Sequence, residues 1–199
     1  MTGPRVPSSQ QGFIDEVMAA GRGVAALIVG DRRAAQYFDF SQRGLVGSFI
    51  GFLVITFVSV ILPLMIGARP DYSIAKSAVI AAILFASQIG FAAIVLRQMK
   101  RLDGLQPYIV ADNWASVWIS AGQLLLSLVG FQGDLAFFAL SILVIVVEIN
   151  IARLIVTLSP LQIAMFMIAQ LVGVSIALIV VGILFPSPET VAAINSLRT

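Results

Sequence analysis

The 199-residue chain has no cysteine and no histidine, and only 11% of its residues are charged. Without thiol or imidazole there is no disulfide, no thiolate nucleophile, no imidazole-built zinc site and no ordinary haem ligation. Ser-His and Cys-His catalysis are excluded with them. The shortage of charge decides more. Hydrophobic residues make up 59% of the chain and the mean hydropathy is +1.02. A soluble domain carries about a quarter charged residues and just under half apolar ones. The 12 basic and 10 acidic side chains cannot cover this much apolar surface in water. Such a composition does not suit a disordered chain either. The net charge of +2 is too small to point to nucleic acid. The composition is that of an integral membrane protein.

Catalytic signatures are missing as well. The sequence holds no phosphate-cradling loop, no paired-histidine zinc motif and no Gly-x-Ser-x-Gly elbow. An intramembrane aspartyl protease needs two aspartates at depth, whereas Asp112 is the only one inside an apolar stretch and lies near its edge. A Ser–Lys dyad would have to use Lys76 or Lys100, and both fall at interfaces. The expectation is a non-enzymatic protein with no cofactor and no bound metal.

What the chain does contain is long apolar runs. Five of them, roughly 44–67, 73–96, 107–130, 135–157 and 160–185, have the length to cross a bilayer. About 20 residues rising 1.5 Å each cover ~30 Å of hydrocarbon. Their separators suit the ends of helices. The segment 67–71 reads as a turn, 97–106 as a charged loop and 131–134 as a tight hairpin, and Ser159-Pro160 reads as a helix cap with proline in the first turn. Pro186-Ser-Pro188 stops the last run, and 189–197 has the length for a short terminal helix. No internal repeat and no second domain is visible.

Before the first run, residues 1–11 are polar, contain two prolines and are expected to be disordered. They lack the basic-then-apolar pattern of a signal peptide, so no cleavage is expected. Over about 12–30, Phe13, Val17, Val24 and Leu27/Ile28 share a helical face, joined by Ile14 and Met18, with Asp15, Glu16 and Arg22 opposite. This stretch is too short and too charged to span. It predicts an amphipathic helix on the membrane surface or against the bundle. The fold class expected is therefore all-α: five transmembrane helices over 44–185, a cytoplasmic segment over 1–43 with its interfacial helix, and a short extracytoplasmic tail over 186–199. Nine of the 12 basic residues then fall on one side, which places the N-terminus in the cytoplasm and the C-terminus outside a bacterial inner membrane.

Polar residues inside the runs are the candidates for function. Asp112, Ser116, Ser120, Gln123 and Ser127 recur at helical spacing on one face of the third run, with Asn113 beside the first. Unpaired polar groups are costly in hydrocarbon, so the stripe must turn inward. It is either a hydrogen-bonded helix interface or the wall of a polar path. The fourth run adds Glu148, Asn150 and Arg153. A carboxylate at that depth must be protonated, paired or wet, and Arg153 can snorkel to the cytoplasm or reach Asp112. Gly44, Gly47 and Gly51 form a small-residue face that permits close approach of another span or of a second protomer.

Two local stretches, Tyr37-Phe-Asp-Phe-Ser41 leading to Gly44-Leu-Val-Gly-Ser-Phe49 and Tyr108-Ile-Val-Ala-Asp-Asn-Trp114, together with the order of parts over about 40–199, resemble the Yip1-domain membrane proteins, especially their uncharacterised bacterial members. The Asp-Leu-Tyr-Gly-Pro type motif of the eukaryotic branch is absent, so no Rab partner or binding residue carries over. The resemblance implies a small, non-enzymatic, five-span protein of the inner membrane. Two functions remain open: an accessory or scaffold subunit that engages the bilayer and other membrane proteins or copies of itself, and a small oligomeric transporter or channel using the polar stripe and Glu148.

Overall fold

The computed structural model describes residues 12–65, 73–131 and 133–186. The expected disorder of 1–11, the turn at 67–71, Gln132 of the hairpin and the terminal helix at 189–197 lie outside these residues. Among the described residues there is no strand. The α-helices are α1 (Phe13–Val29), α2 (Gln42–Met65), α3 (Ile74–Gln98), α4 (Leu105–Leu128), α5 (Asp134–Asn150) and α6 (Pro160–Leu184).

Four helical segments are long and apolar enough to cross a membrane: Gln42–Leu62, Ile74–Gln98, Asp134–Ile155 and Pro160–Leu184, with mean hydropathies of 2.4–2.6. On α6 alone, Leu161, Ile168, Leu171, Ile179 and Ile183 are 62–73% exposed. Such a surface is stable against lipid and not against water. The chain is thus an all-α protein with four helices suited to a membrane. The third expected run, 107–130, became α4, whose 24 residues fall within the 21–25 of the other four. Its polar stripe keeps it out of that set.

The chain divides into two compact units, a division that no composition shift marks. The first comprises Met1–Ser59 with Gln106–Leu158, the second Val60–Leu105 with Ser159–Thr199. In the second unit α3 packs on α6. Gly173 lets the Phe91 ring approach, and the Ser87 hydroxyl donates to the Gly173 carbonyl at 2.7 Å. The start of α6 is the expected cap made complete: Ser159 Oγ accepts from Gln162 N–H, and the Gln162 side chain accepts from Ser159 N–H at 2.9 Å, with Pro160 opening the helix.

In the first unit α1 packs against α5 and against the short 3-10 turn Ala34–Tyr37. Gly30 ends α1 in the left-handed region at φ 70°, where glycine carries no Cβ penalty. α5 passes into a π-helical turn, Ile151–Ile155, closed by Val156 N–H donating to the Ile151 carbonyl at 3.0 Å. Thr157 follows at φ 59°, an unusual conformation for a β-branched residue.

Candidate functional site: the α1 crossing and the polar cavity

α1 is held at several points along its length. Near its start the Phe13 ring lies 6.2 Å from the Trp114 ring of α4. A turn later Glu16 faces α2 across Gly47, where a Cβ would come within 2.5 Å of the carboxylate. In mid-helix Gly21 sits on the Trp118 ring and Gly23 on Phe38. At the end the Asn150 side chain donates to the Leu27 carbonyl at 2.8 Å. The Arg153 guanidinium lies beside Gly30, 3.1 Å from where a Cβ would stand. The approaches at Gly21, Gly23, Gly30 and Gly47 each depend on a glycine on one partner and a ring or polar tip on the other.

The buried face of α1 carries Ala20, Gly23, Val24, Ala26 and Leu27. Glu16 belongs to this arc, at spacings of four, three and four with Ala20, Gly23 and Leu27. The sequence reading set it on the opposite, solvent face. Of the expected apolar face, Ile14, Met18 and Ile28 are exposed, as is the neighbouring Val29. Asp15 and Arg22 bound this exposed arc on one side, and Val17 and Gly21 join it to the buried face on the other. The Glu16 carboxyl is pushed above its ordinary value, first by burial and next by the neighbouring Asp39, against smaller opposing effects of Arg43 and a hydrogen bond with Trp114.

The α4 stripe meets α5 around a cavity of about 210 Å³. Asp112, Ser116, Ser120 and Gln123 line one wall, and Val144, Val147 and Glu148 the other. Gln123 also borders a second cavity, of about 260 Å³, with Ser127 and Phe131. The stripe from Asp112 to Ser127 therefore faces two adjoining cavities over roughly 22 Å of helix rise. Asp112 is 8% exposed.

The remaining candidates lie elsewhere. Asn113 is fully buried and donates to Ser48 Oγ of α2 at 3.1 Å, so it acts as interhelix glue. Asn150 bonds α1. Arg153 is exposed and makes no ion pair with Asp112 or Glu148 among the described residues. Gly47 and Gly51 pack inside the first unit, against Glu16 and against the Trp114 and Val117 side chains. Gly44 abuts the Asp39 carbonyl. This glycine face meets α1 and α4 of the same chain. Reasoning from sequence missed Glu16, Ser48 and the role of Trp118. Among the described residues no group of three or more acidic side chains is placed to hold a metal ion.

No protein-family model, curated protein or solved structure matches the chain. Its class therefore rests on its own features: an all-α protein with four apolar helices of membrane-crossing length.

Proposed function

We propose that this chain is a Yip1-like, five-span protein of the bacterial inner membrane, with its N-terminus in the cytoplasm, acting as a non-enzymatic accessory subunit that binds other membrane proteins. The observation that carries this reading is α1. The helix is held at Gly23 and Leu27 on one side and at Gly21 against Trp118 on another, while Ile14, Met18 and Val29 are 53–79% exposed among the described residues. A helix fixed this firmly presents its free apolar arc in a constant orientation, as a docking element must. The fifth span in this reading is α4. Asn113 bonds α2, Asp112 is buried toward α5, and half-buried Ser116 and Ser120 line the α5 cavity with Gln123 at its exposed edge; the 24 residues rise roughly 36 Å.

The test is in-cell crosslinking of the full chain. Ile14→Asp and Met18→Asp leave the buried face intact and are expected to lose crosslinked partner proteins while the spans still insert. Asp112→Asn is expected to keep them. Equal recovery from all variants would contradict the accessory role.

A second reading, a small oligomeric transporter or channel, is favoured by one observation: the two adjoining cavities along Asp112, Ser116, Ser120, Gln123 and Ser127 opposite Glu148. Its candidate protomer interface, Gly47 and Gly51, packs against Glu16 and Trp114 of the same chain, which weighs against this reading. In this reading Glu148→Gln folds normally and abolishes flux of protons or cations in proteoliposomes. Wild-type protein that leaves such vesicles impermeable would remove it.

A further inference from the structure

We infer that the apolar cleft between α1, α4 and α5 holds an acyl chain of an anionic glycerophospholipid, with the headgroup phosphate at the arginines around the end of α1. The cleft encloses about 280 Å³ and lies wholly within the first unit. Val24 and Ile28 of α1, Trp118, Gly122 and Leu126 of α4 and Leu143 of α5 are among its walls. The inference rests on the membrane reading alone and not on the identity of any protein partner.

Its two ends differ in chemistry. Ile28 stands two residues before Gly30, where the Arg153 guanidinium lies. Arg32 stands two residues further on. Arg32 and Arg153 are exposed and engage no carboxylate among the described residues, whereas Arg33 is paired with Asp31 at 3.2 Å. From this rim the cleft runs inward. Leu143 precedes Asn150 by seven residues, which places it roughly 10 Å deeper along α5. Leu140, also on the wall, is deeper again.

A ligand that fits is apolar along its length and anionic at one end. A second helix is about 10 Å across and does not fit a space of 280 Å³. One hydrocarbon chain does. The arginine rim selects the headgroup, since basic residues at the cytoplasmic surface attract anionic lipid. Apolar walls with one charged mouth thus define both halves of the occupant.

Native mass spectrometry of the full chain tests this, with the protein released from micelles holding equal amounts of phosphatidylglycerol and phosphatidylcholine. Wild type is expected to retain one phosphatidylglycerol in preference to phosphatidylcholine. Gly122→Leu fills the cleft from a position where a Cβ meets nothing within 4 Å, so the helix accepts it. It is expected to cut retention of both lipids about tenfold, and Ala25→Leu, from the exposed side of the same wall, to do likewise. Arg153→Gln with Arg32→Gln is expected to keep a lipid but to lose preference, about fivefold per arginine. Excess inorganic phosphate should displace nothing. Equal retention by wild type and both leucine variants would overturn the site, as would a wild type indifferent to headgroup. A lipid-free dimer dissolved by Gly122→Leu would instead make the cleft a contact between copies.

Discussion

Glu16 shows how a single residue couples the fold to its surroundings. Its carboxyl is packed between Gly47 and Trp114 with Asp39 nearby, so ionisation is opposed by burial first and by like charge second. A folded-state value above the unfolded one means the folded chain binds this proton more tightly. The associated stability is present below the unfolded value and is lost as pH rises through the folded one. Melting of detergent-solubilised protein should therefore show a fall over that window. Glu16→Gln, which still accepts from Trp114, should flatten it, and parallel pH profiles for the two proteins would refute this. The glycines make the second prediction at this scale. Leucine at Gly47 or Gly51 meets Glu16 or Trp114 at 2.5–2.9 Å and should cost about 1–3 kcal/mol. Alanine at Gly90, where nothing lies within 4 Å, should be neutral or stabilise the helix by up to ~1 kcal/mol. Chemical denaturation in mixed micelles measures all three. The spacing of the glycines was legible in the sequence and their partners were not, because spacing marks a close approach without naming what approaches.

At the scale of elements, the sequence carried most where chemistry is local. Ser159, Pro160 and Gln162 form the capping box and open α6 as their order requires. Helical periodicity placed Asp112, Ser116, Ser120 and Gln123 on one face, and the structure puts that face on a cavity with Glu148. The π-helical turn at Ile151–Ile155 left no mark, since Ile-Ala-Arg-Leu-Ile contains neither proline nor glycine. Ile14, Met18 and Ile28 were legible as part of an apolar face of α1, but their exposure was not. Periodicity reports that residues share a face, and only packing decides which part of that face is covered. Asn150 ties the end of α5 to the end of α1, and its loss should be felt at both. Asn150→Leu removes the 2.8 Å bond to the Leu27 carbonyl, which still accepts from Gly30 N–H. A loss of about 1 kcal/mol is expected. Faster hydrogen exchange confined to the last turn of α1 would identify the cause, and unchanged exchange there would contradict it.

For the whole molecule the question is how many helices cross. Averaged hydropathy admits four, and α4 falls short because its polar residues are counted as though lipid met them. In the fold Asn113 turns to Ser48 and Asp112, Ser116 and Ser120 to the α5 cavity, while Gln123, Leu125 and Leu128 stay exposed. A window over the sequence cannot separate an inward stripe from an outward one, so span count was the part of the architecture that composition alone left least determined. The count fixes the side on which the chain ends: an odd number of crossings puts the C-terminus opposite the N-terminus. The decisive measurement is a set of reporter fusions active only outside the cytoplasm, placed after residue 43, in the 97–106 loop, at Gly133 and at the C-terminus. Five crossings with the N-terminus inside predict silence at the first two sites and activity at Gly133 and the C-terminus. Silence at Gly133 and at the C-terminus would mean that α4 does not cross and would contradict the five-span account.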